Sequence, residues 1–261
     1  MEIVVCIKQV PDPTVEIRID PKTKNLLREG IPGVINPYDK NALEEAIRIK
    51  ESQGGKVTVI SMGPAQVKES LREALAMGAD EAVLLSDRAF GGADTLATSY
   101  VLAQAIKKLA PVDIVFFGKN AVDADTGQVG PIVAEMLELP QVTYVNKSSV
   151  EEQTLLLDRA LEGAVETVRV KLPAVITVDK DLNEPRYPNP LKIMKAAKKE
   201  ITTWGKDDLA ADPGKIGQGG SPTCVLEVFN PPKSKEAAIL EGPPSEQAEK
   251  LFTALRNDKV I

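Results

Sequence analysis

The run from Gly118 to Pro131 (Gly-Lys-Asn-Ala-Val-Asp-Ala-Asp-Thr-Gly-Gln-Val-Gly-Pro) concentrates the residues of this chain that could bind and orient a charged ligand. Gly118 permits close backbone approach. Asn120, Asp123, Asp125, Thr126 and Gln128 offer polar side chains. The N–H groups of Gly127 to Gly130 stand where a following helix would add its dipole, a favourable setting for an anion. Neither GxGxxG nor GxxxxGK[ST] is present, so the run is not a standard phosphate loop. Asp123 and Asp125 could instead cap the helix. A calcium loop of the EF-hand kind is ruled out, because Gly127 comes one place early and Ala134 stands where Glu is required.

The rest of the inventory excludes much. The 261 residues contain no histidine, which removes a Ser-His-Asp triad and any His-bearing metal or haem site. The two cysteines, Cys6 and Cys224, make neither a disulfide framework nor a cysteine-rich metal site. A reduced, cytoplasmic setting is the simplest expectation. A net charge of −6 argues against nucleic acid as a partner. No apolar run is long enough for a membrane span, and the N-terminus opens directly on a strand.

The elements that must position the Gly118–Pro131 turn follow from periodicity. Short β-branched strands are expected at Ile3–Ile7, Val57–Ser61, Ala82–Leu85, Ile114–Phe117, Val142–Val145 and Ala174–Val178. Helices are expected at Tyr38–Gln53, Pro64–Met77, Ala93–Leu109 and Gly130–Glu138. This alternation predicts an α/β fold with a doubly wound, mainly parallel sheet. Thr154–Leu157 and Thr167–Lys171 read as an added hairpin. In such sheets ligands lie beyond the carboxyl ends of strands, where strand order reverses. Three strands end in unusual chemistry: Cys6-Ile-Lys-Gln-Val-Pro-Asp12, Ser61-Met-Gly-Pro64, and the turn from Gly118.

Beyond Asp179 the chain changes character. Asp181 to Pro190 is too proline-rich for regular structure. A short basic helix is expected at Leu191–Lys199 and a last helix at Ser245–Leu255. Residues 200–240 are rich in glycine and proline, yet Val225 to Phe229 is apolar and calls for burial. The expectation is an α/β domain over 1–185. Residues 186–261 then form a docking loop and an extended C-terminal arm that embraces a partner, the alternative being that the arm packs on its own domain.

The sequence resembles the β subunit of electron-transfer flavoproteins along nearly its whole length. VVCIKQVPD near the N-terminus, NPYDKNALEEAIRIKE from Asn36, MGPAQ from Met62, ALAMGADEA from Ala74, GKNAVDADTGQVGP from Gly118 and DLNEPRY from Asp181 occur in that family's order. Arg159, Glu162, Gly163, Glu166 and Pro173 match its signature spacing, with Leu157 a small departure.

The resemblance implies a heterodimer with an α subunit that carries one FAD. It also implies a second adenine nucleotide in the β subunit's own crevice, AMP in conventional members and FAD in electron-bifurcating ones. The crevice would be formed by Cys6, Asn36, Pro37, Tyr38, Asp39, Met62, Gly63, Gly118, Asn120, Ala121, Asp123, Asp125, Thr126, Gly127, Gln128 and Val129. DTGQVGP, the later GSPT at Gly220–Thr223, and Phe90-Gly-Gly-Ala-Asp-Thr95 are similar to members that bind two FADs. Asp94 and Thr95 are therefore added as candidate flavin or NADH contacts.

In such members NADH is the electron donor. One electron passes to the α-subunit flavin and a partner dehydrogenase, the other to ferredoxin or flavodoxin. The segment around Pro190, Leu191, Ile193 and Met194 resembles the family's dehydrogenase-docking loop, although Pro190 stands where conventional members place a Leu anchor. A stand-alone nucleotide sensor of the related universal-stress fold is the reading from a different class, and the long C-terminal extension argues against it.

Overall fold

The computed structural model describes residues 1–12, 18–19, 26–27, 33–226 and 239–261. Nine strands form one sheet: β1 (Glu2–Cys6), β2 (Lys56–Met62), β3 (Glu81–Leu85), β4 (Ile114–Gly118), β5 (Gln141–Glu151), β6 (Thr154–Leu161), β7 (Ala164–Lys171), β8 (Ala174–Val178) and β9 (Thr202–Trp204). Their spatial order is β7-β6-β5-β8-β4-β1-β2-β3-β9. Pairing is parallel from β5 through to β9 and antiparallel in the β5-β6-β7 meander. The chain runs outward from β1 through β2 to β3, then crosses back to place β4 on the other side of β1. Strand order therefore reverses between β1 and β4, and the ends of these two strands open the crevice where ligands of open α/β sheets lie.

Alternation along β1 builds the two layers. Ile3, Val5 and Ile7 face α1 (Pro37–Gln53) and α2 (Lys68–Met77), where Leu43, Ile47 and Leu71 are fully buried. Val4 and Cys6 face the opposite layer, formed by α3 (Thr95–Leu109) and α4 (Val129–Leu137), with Val101 and Val133. The predicted α/β, doubly wound, mainly parallel fold is present. The added antiparallel piece is larger than the expected hairpin: β5 continues from Gln141 to Glu151, past the predicted Val145, and leads the three-stranded meander. Its extension alternates half-buried and exposed residues, as suits a sheet covered on one face only.

Residues 190–226 attach to this same unit, which extends from Met1 to Glu227. Helix α5 (Pro190–Lys198) begins with Asn189 accepting from the Lys192 N–H and lies on α2, where Arg72 donates to the carbonyls of Ala196 and Ala197 at 3.1 and 2.9 Å. β9 follows and lengthens the parallel sheet at the free edge of β3. Residues 212–223 meet α3 and the segment just before it: the N–H of Asp212 donates to the Tyr100 hydroxyl at 3.0 Å, and that of Gln218 to Gly91 O at 3.0 Å. Val225 and Leu226 are exposed; the remainder of the apolar run to Phe229, with Asn230 to Pro232, lies outside the described residues.

The second unit, Val228–Ile261, carries α6 (Pro244–Asn257), one turn longer than expected, none of whose residues is buried. No helix among the described residues is long and apolar enough to cross a membrane.

Candidate functional site

The crevice is built on two clamps from the start of α1. Asn36, fully buried, donates from its amide to the Asn120 carbonyl at 2.8 Å and accepts from the Val122 N–H at 3.1 Å. It thus fixes the first residues of the turn after β4. Its own N–H donates to the Lys8 carbonyl, 2.9 Å away. Asp39, one helical turn on, accepts from the Lys8 N–H at 2.7 Å and from the Gly118 N–H at 3.1 Å. Pro37 opens the helix, where its missing N–H costs nothing. Gly118 has to be glycine, since a Cβ there would come within 2.3 Å of Asp39 Oδ1 and 2.7 Å of Tyr38 Cβ.

Electrostatics at the strand ends follow from burial. Desolvation pushes the Asp39 carboxyl up to about 7, against the Asn36 amide, the N–H groups of Lys8 and Gly118, and the Lys8 charge. Burial raises the Cys6 thiol well above its ordinary value, with the Asp39 charge adding to it, so Cys6 is a neutral wall and not a nucleophile. Lys8 Nζ is held by Asp123 at 2.7 Å. At the end of β8, Asp179 holds Lys119 at 3.0 Å and raises its pKa. Tyr144 stands on a bulge of β5 at φ +61°, unusual for a bulky residue, and lies 5.3 Å from Lys119 Nζ in a cation–π contact.

The turn itself differs from simple capping. Asp123 pairs with Lys8, and Asp125, at φ +52°, accepts from the Asn120 amide; neither caps α4. Gln128 occupies the N-cap place without a side-chain cap bond, and its Oε1 accepts from the Thr95 hydroxyl at 2.9 Å. The first N–H groups of α4 are therefore not consumed by a capping side chain. Gly127 adopts φ +61° immediately before them. Thr126 is exposed, and Ala121 supplies the carbonyl that closes the turn with the Asp125 N–H at 2.8 Å. Gly130 leaves room for Thr177 and Phe117 beneath the helix start.

At the end of β2, Met62 is partly buried against the α3/α4 layer and the Gly63 N–H donates to Leu85 O at 3.0 Å. Two buried side-chain oxygens at these strand ends, Ser61 Oγ and Asn120 Oδ1, have no hydrogen-bond partner among the described residues. Buried polar atoms are seldom left unpaired, and a bound polar ligand would satisfy such atoms.

Asp94 does more than its sequence suggested. It caps α3 by accepting from the N–H groups of Leu96 and Ala97, both at 3.0 Å. Its other oxygen accepts from the Thr223 hydroxyl at 2.8 Å and the Thr223 N–H at 3.1 Å, while its own N–H donates to Ser221 Oγ at 2.9 Å. Burial works upward on this carboxyl, but the N–H groups and the hydroxyl that bond it bring it below the ordinary value. Two segments far apart in sequence, 90–95 and 220–223, thus meet at the start of α3.

The four proposed docking residues, Pro190, Leu191, Ile193 and Met194, are all exposed on α5, Leu191 at 71 %. Sequence reasoning passed over Lys8, Lys119, Tyr144 and Asp179. Asp179 directly follows β8 and Lys119 directly follows β4, so the strand-end rule could have found both; Lys8 and Tyr144 depend on partners more than twenty residues away.

Residues 23–209 match the electron transfer flavoprotein domain family. The chain belongs to the electron-transfer flavoprotein family. It is 54 % identical, over the full length of both chains, to the electron transfer flavoprotein subunit beta of Thermoanaerobacterium thermosaccharolyticum, and 52 % identical, again over both full lengths, to that of Clostridium acetobutylicum. A further relative, 47 % identical over both full lengths, is the caffeyl-CoA reductase-Etf complex subunit CarD of Acetobacterium woodii. Within the family this chain is of the β-subunit kind, as its sequence motifs implied, and a stand-alone universal-stress-like sensor is set aside.

Proposed function

We propose that this β subunit holds FAD in the β1/β4 crevice, pairs with an α subunit carrying a second FAD, and takes part in electron bifurcation from NADH. The observation that carries the reading is the junction at the start of α3. The Phe90–Thr95 and Gly220–Thr223 segments, which resemble two-FAD members, are brought together by Asp94 and joined to the phosphate-binding turn through Thr95 and Gln128.

The residues fit the group. Asn36 shapes the turn, Gly127 and the uncapped start of α4 present N–H groups suited to a diphosphate, and Ser61 and Asn120 keep unpaired oxygens for polar contacts. Bound FAD would supply hydride acceptance from NADH and one-electron transfer; the protein binds and orients it. The absence of histidine is compatible with this division of labour. Lys8 and Lys119, each held by a carboxylate, keep positive charge beside the crevice without free mobility.

The name of the CarD relative joins an Etf to a CoA-ester reductase, and we extend a flavin-dependent dehydrogenase partner of that kind to this chain. The exposed Leu191, Ile193 and Met194 of α5, flanked by Lys192, Lys195 and Lys198, are the surface for it. Ferredoxin or flavodoxin would take the other electron.

The test is nucleotide content. The co-purified heterodimer is denatured and its FAD and AMP are quantified against protein. Two FADs per heterodimer are expected. One FAD with one AMP would make this a conventional electron shuttle and remove NADH from the scheme.

A further inference from the structure

A carboxylate lies under the mouth of the crevice, where an anionic ligand is expected, and neither the turn nor the helix start explains why. Asp39 is 6 % exposed and its two oxygens bridge different strands, Oδ2 to the Lys8 N–H at 2.7 Å and Oδ1 to the Gly118 N–H at 3.1 Å. Gly118 makes room for it by lacking a Cβ. The side chain thus ties the ends of β1 and β4, the two sides of the switch point, to the first turn of α1.

The charges around Asp39 leave it one short. Lys8 is its nearby cation, and Lys8 Nζ is shared with Asp123 from the turn after β4. Cys6, on the end of β1, is neutral, and Asn36 on its own helix start carries no charge. With Asp39 ionised, the group Asp39, Lys8 and Asp123 carries a net single negative charge; with Asp39 protonated it is neutral. A phosphate entering between the strand ends adds negative charge, which favours the protonated form of a neighbouring carboxyl.

We infer that Asp39 is a positioning residue that takes up a proton from solvent when a nucleoside-diphosphate group enters the crevice, so that ligand binding and protonation of this one carboxyl are linked. The inference rests on the nucleotide reading above. No bond other than O–H is made; the solvent proton goes to one Asp39 oxygen, and the remaining carbonyl oxygen keeps its strand-end contact. The carboxyl already titrates close to neutrality, pushed there by burial, so the added charge acts within the ordinary pH range. Affinity for the diphosphate then falls as pH rises through neutrality.

The experiment uses the heterodimer stripped of its β-site nucleotide and ADP-ribose as probe, because its diphosphate does not titrate near neutrality. Calorimetry at about pH 7.5 in two buffers of different ionisation enthalpy counts the protons taken up. Wild type is expected to take up about half a proton per site, and the Asp39→Asn heterodimer close to none. Equal uptake in both proteins overturns the inference while leaving the nucleotide site standing. Absence of binding by wild type instead overturns the nucleotide reading.

Should Asp39→Asn fail to fold, infrared difference spectra of wild type with and without ADP-ribose, with Asp carboxyls carbon-13 labelled, give an independent answer. A new protonated-carboxyl band on binding supports the inference, and its absence overturns it. A purely structural clamp would move neither the proton count nor that band.

Discussion

At Gly118 the backbone itself is the functional part. A Cβ would fall 2.3 Å from Asp39 Oδ1 and 2.8 Å from the Asp39 N–H nitrogen, and the second neighbour, as backbone, cannot swing aside. Gly118→Ala is expected to destabilise the chain by about 2 kcal/mol, in the usual range for overpacking, and to lower nucleotide retention at the β site. Urea unfolding and nucleotide content of the purified variant measure both; unchanged stability would mean that α1 yields more readily than its packing indicates.

Asp39 gives a second expectation at this scale. Its carboxyl sits at about 7 in the fold against an ordinary 3.8, so between those values the folded chain holds a proton that the unfolded chain has lost. Stability from this group is present in full below about pH 4 and gone by about pH 7, a difference on the order of 4 kcal/mol. Asp39→Asn removes that slope. The gap between the unfolding free energies of wild type and variant is therefore expected to move in the variant's favour as pH rises from 4 to 7, and a constant gap across that range would contradict the assignment.

Most of these residues were legible because strand ends are local features: glycine, proline and amide residues directly after a β-branched run mark Asn36, Gly63 and Gly118. The pairs Lys8 with Asp123 and Asn36 with Asn120 were not, because each joins residues more than eighty positions apart and neither member is unusual alone.

At the level of elements, the segment leaving β8 is tied to α1 twice, by Asn183, which donates to the Asn41 carbonyl and to Glu45 at 3.1 Å each, and by Arg186. Arg186 donates to Glu44 through Nε at 2.9 Å and Nη2 at 3.0 Å, and to Glu51 through Nη1 and Nη2 at 2.5 and 2.9 Å. Glu44 is almost fully buried on α1, and the bonds from Arg186 bring it below the ordinary carboxylate value despite the upward effect of burial. Removing one partner of a buried pair costs about 3–5 kcal/mol; Arg48 remains on Glu44, so about 3 kcal/mol is expected for Arg186→Ala. Thermal unfolding checks the loss. Limited proteolysis checks its location, with faster cleavage between residues 183 and 190 expected, and cleavage elsewhere would mean that the segment is held by other contacts.

Parallel strands and their helices were readable because both faces of the sheet are covered, giving unbroken apolar runs such as Ile114–Phe117. β9 was not. Thr202–Trp204 is three residues in a polar stretch, and its place is set by the free edge of β3 and by Lys108 stacked 4.8 Å from the Trp204 ring, not by any pattern of its own.

For the whole molecule, the contrast is between a unit that completes its own core and a tail that does not. Through residue 222 the chain after β8 returns to the unit at α2, β3 and α3, and Asp94 fastens Thr223 as its last firm contact. Val225 and Leu226 then emerge exposed, Leu226 at 92 %. In the second unit α6 has Leu251 and Phe252 exposed and buries none of its residues. An isolated helix of this length is marginal in water, so its stability has to come from an apolar surface it lies on.

On the function proposed above, the α subunit would supply that surface. Deleting residues 227–261 is expected to leave the α/β unit folded, with its far-ultraviolet spectrum and cooperative melting retained, because among the described residues every buried core side chain lies before residue 217. The same deletion is expected to abolish co-purification with the α subunit. Full recovery of the complex from the truncated chain would show that the α/β unit alone makes the interface and that the tail serves another partner. Loss of the melting transition would show instead that α6 stabilises its own chain.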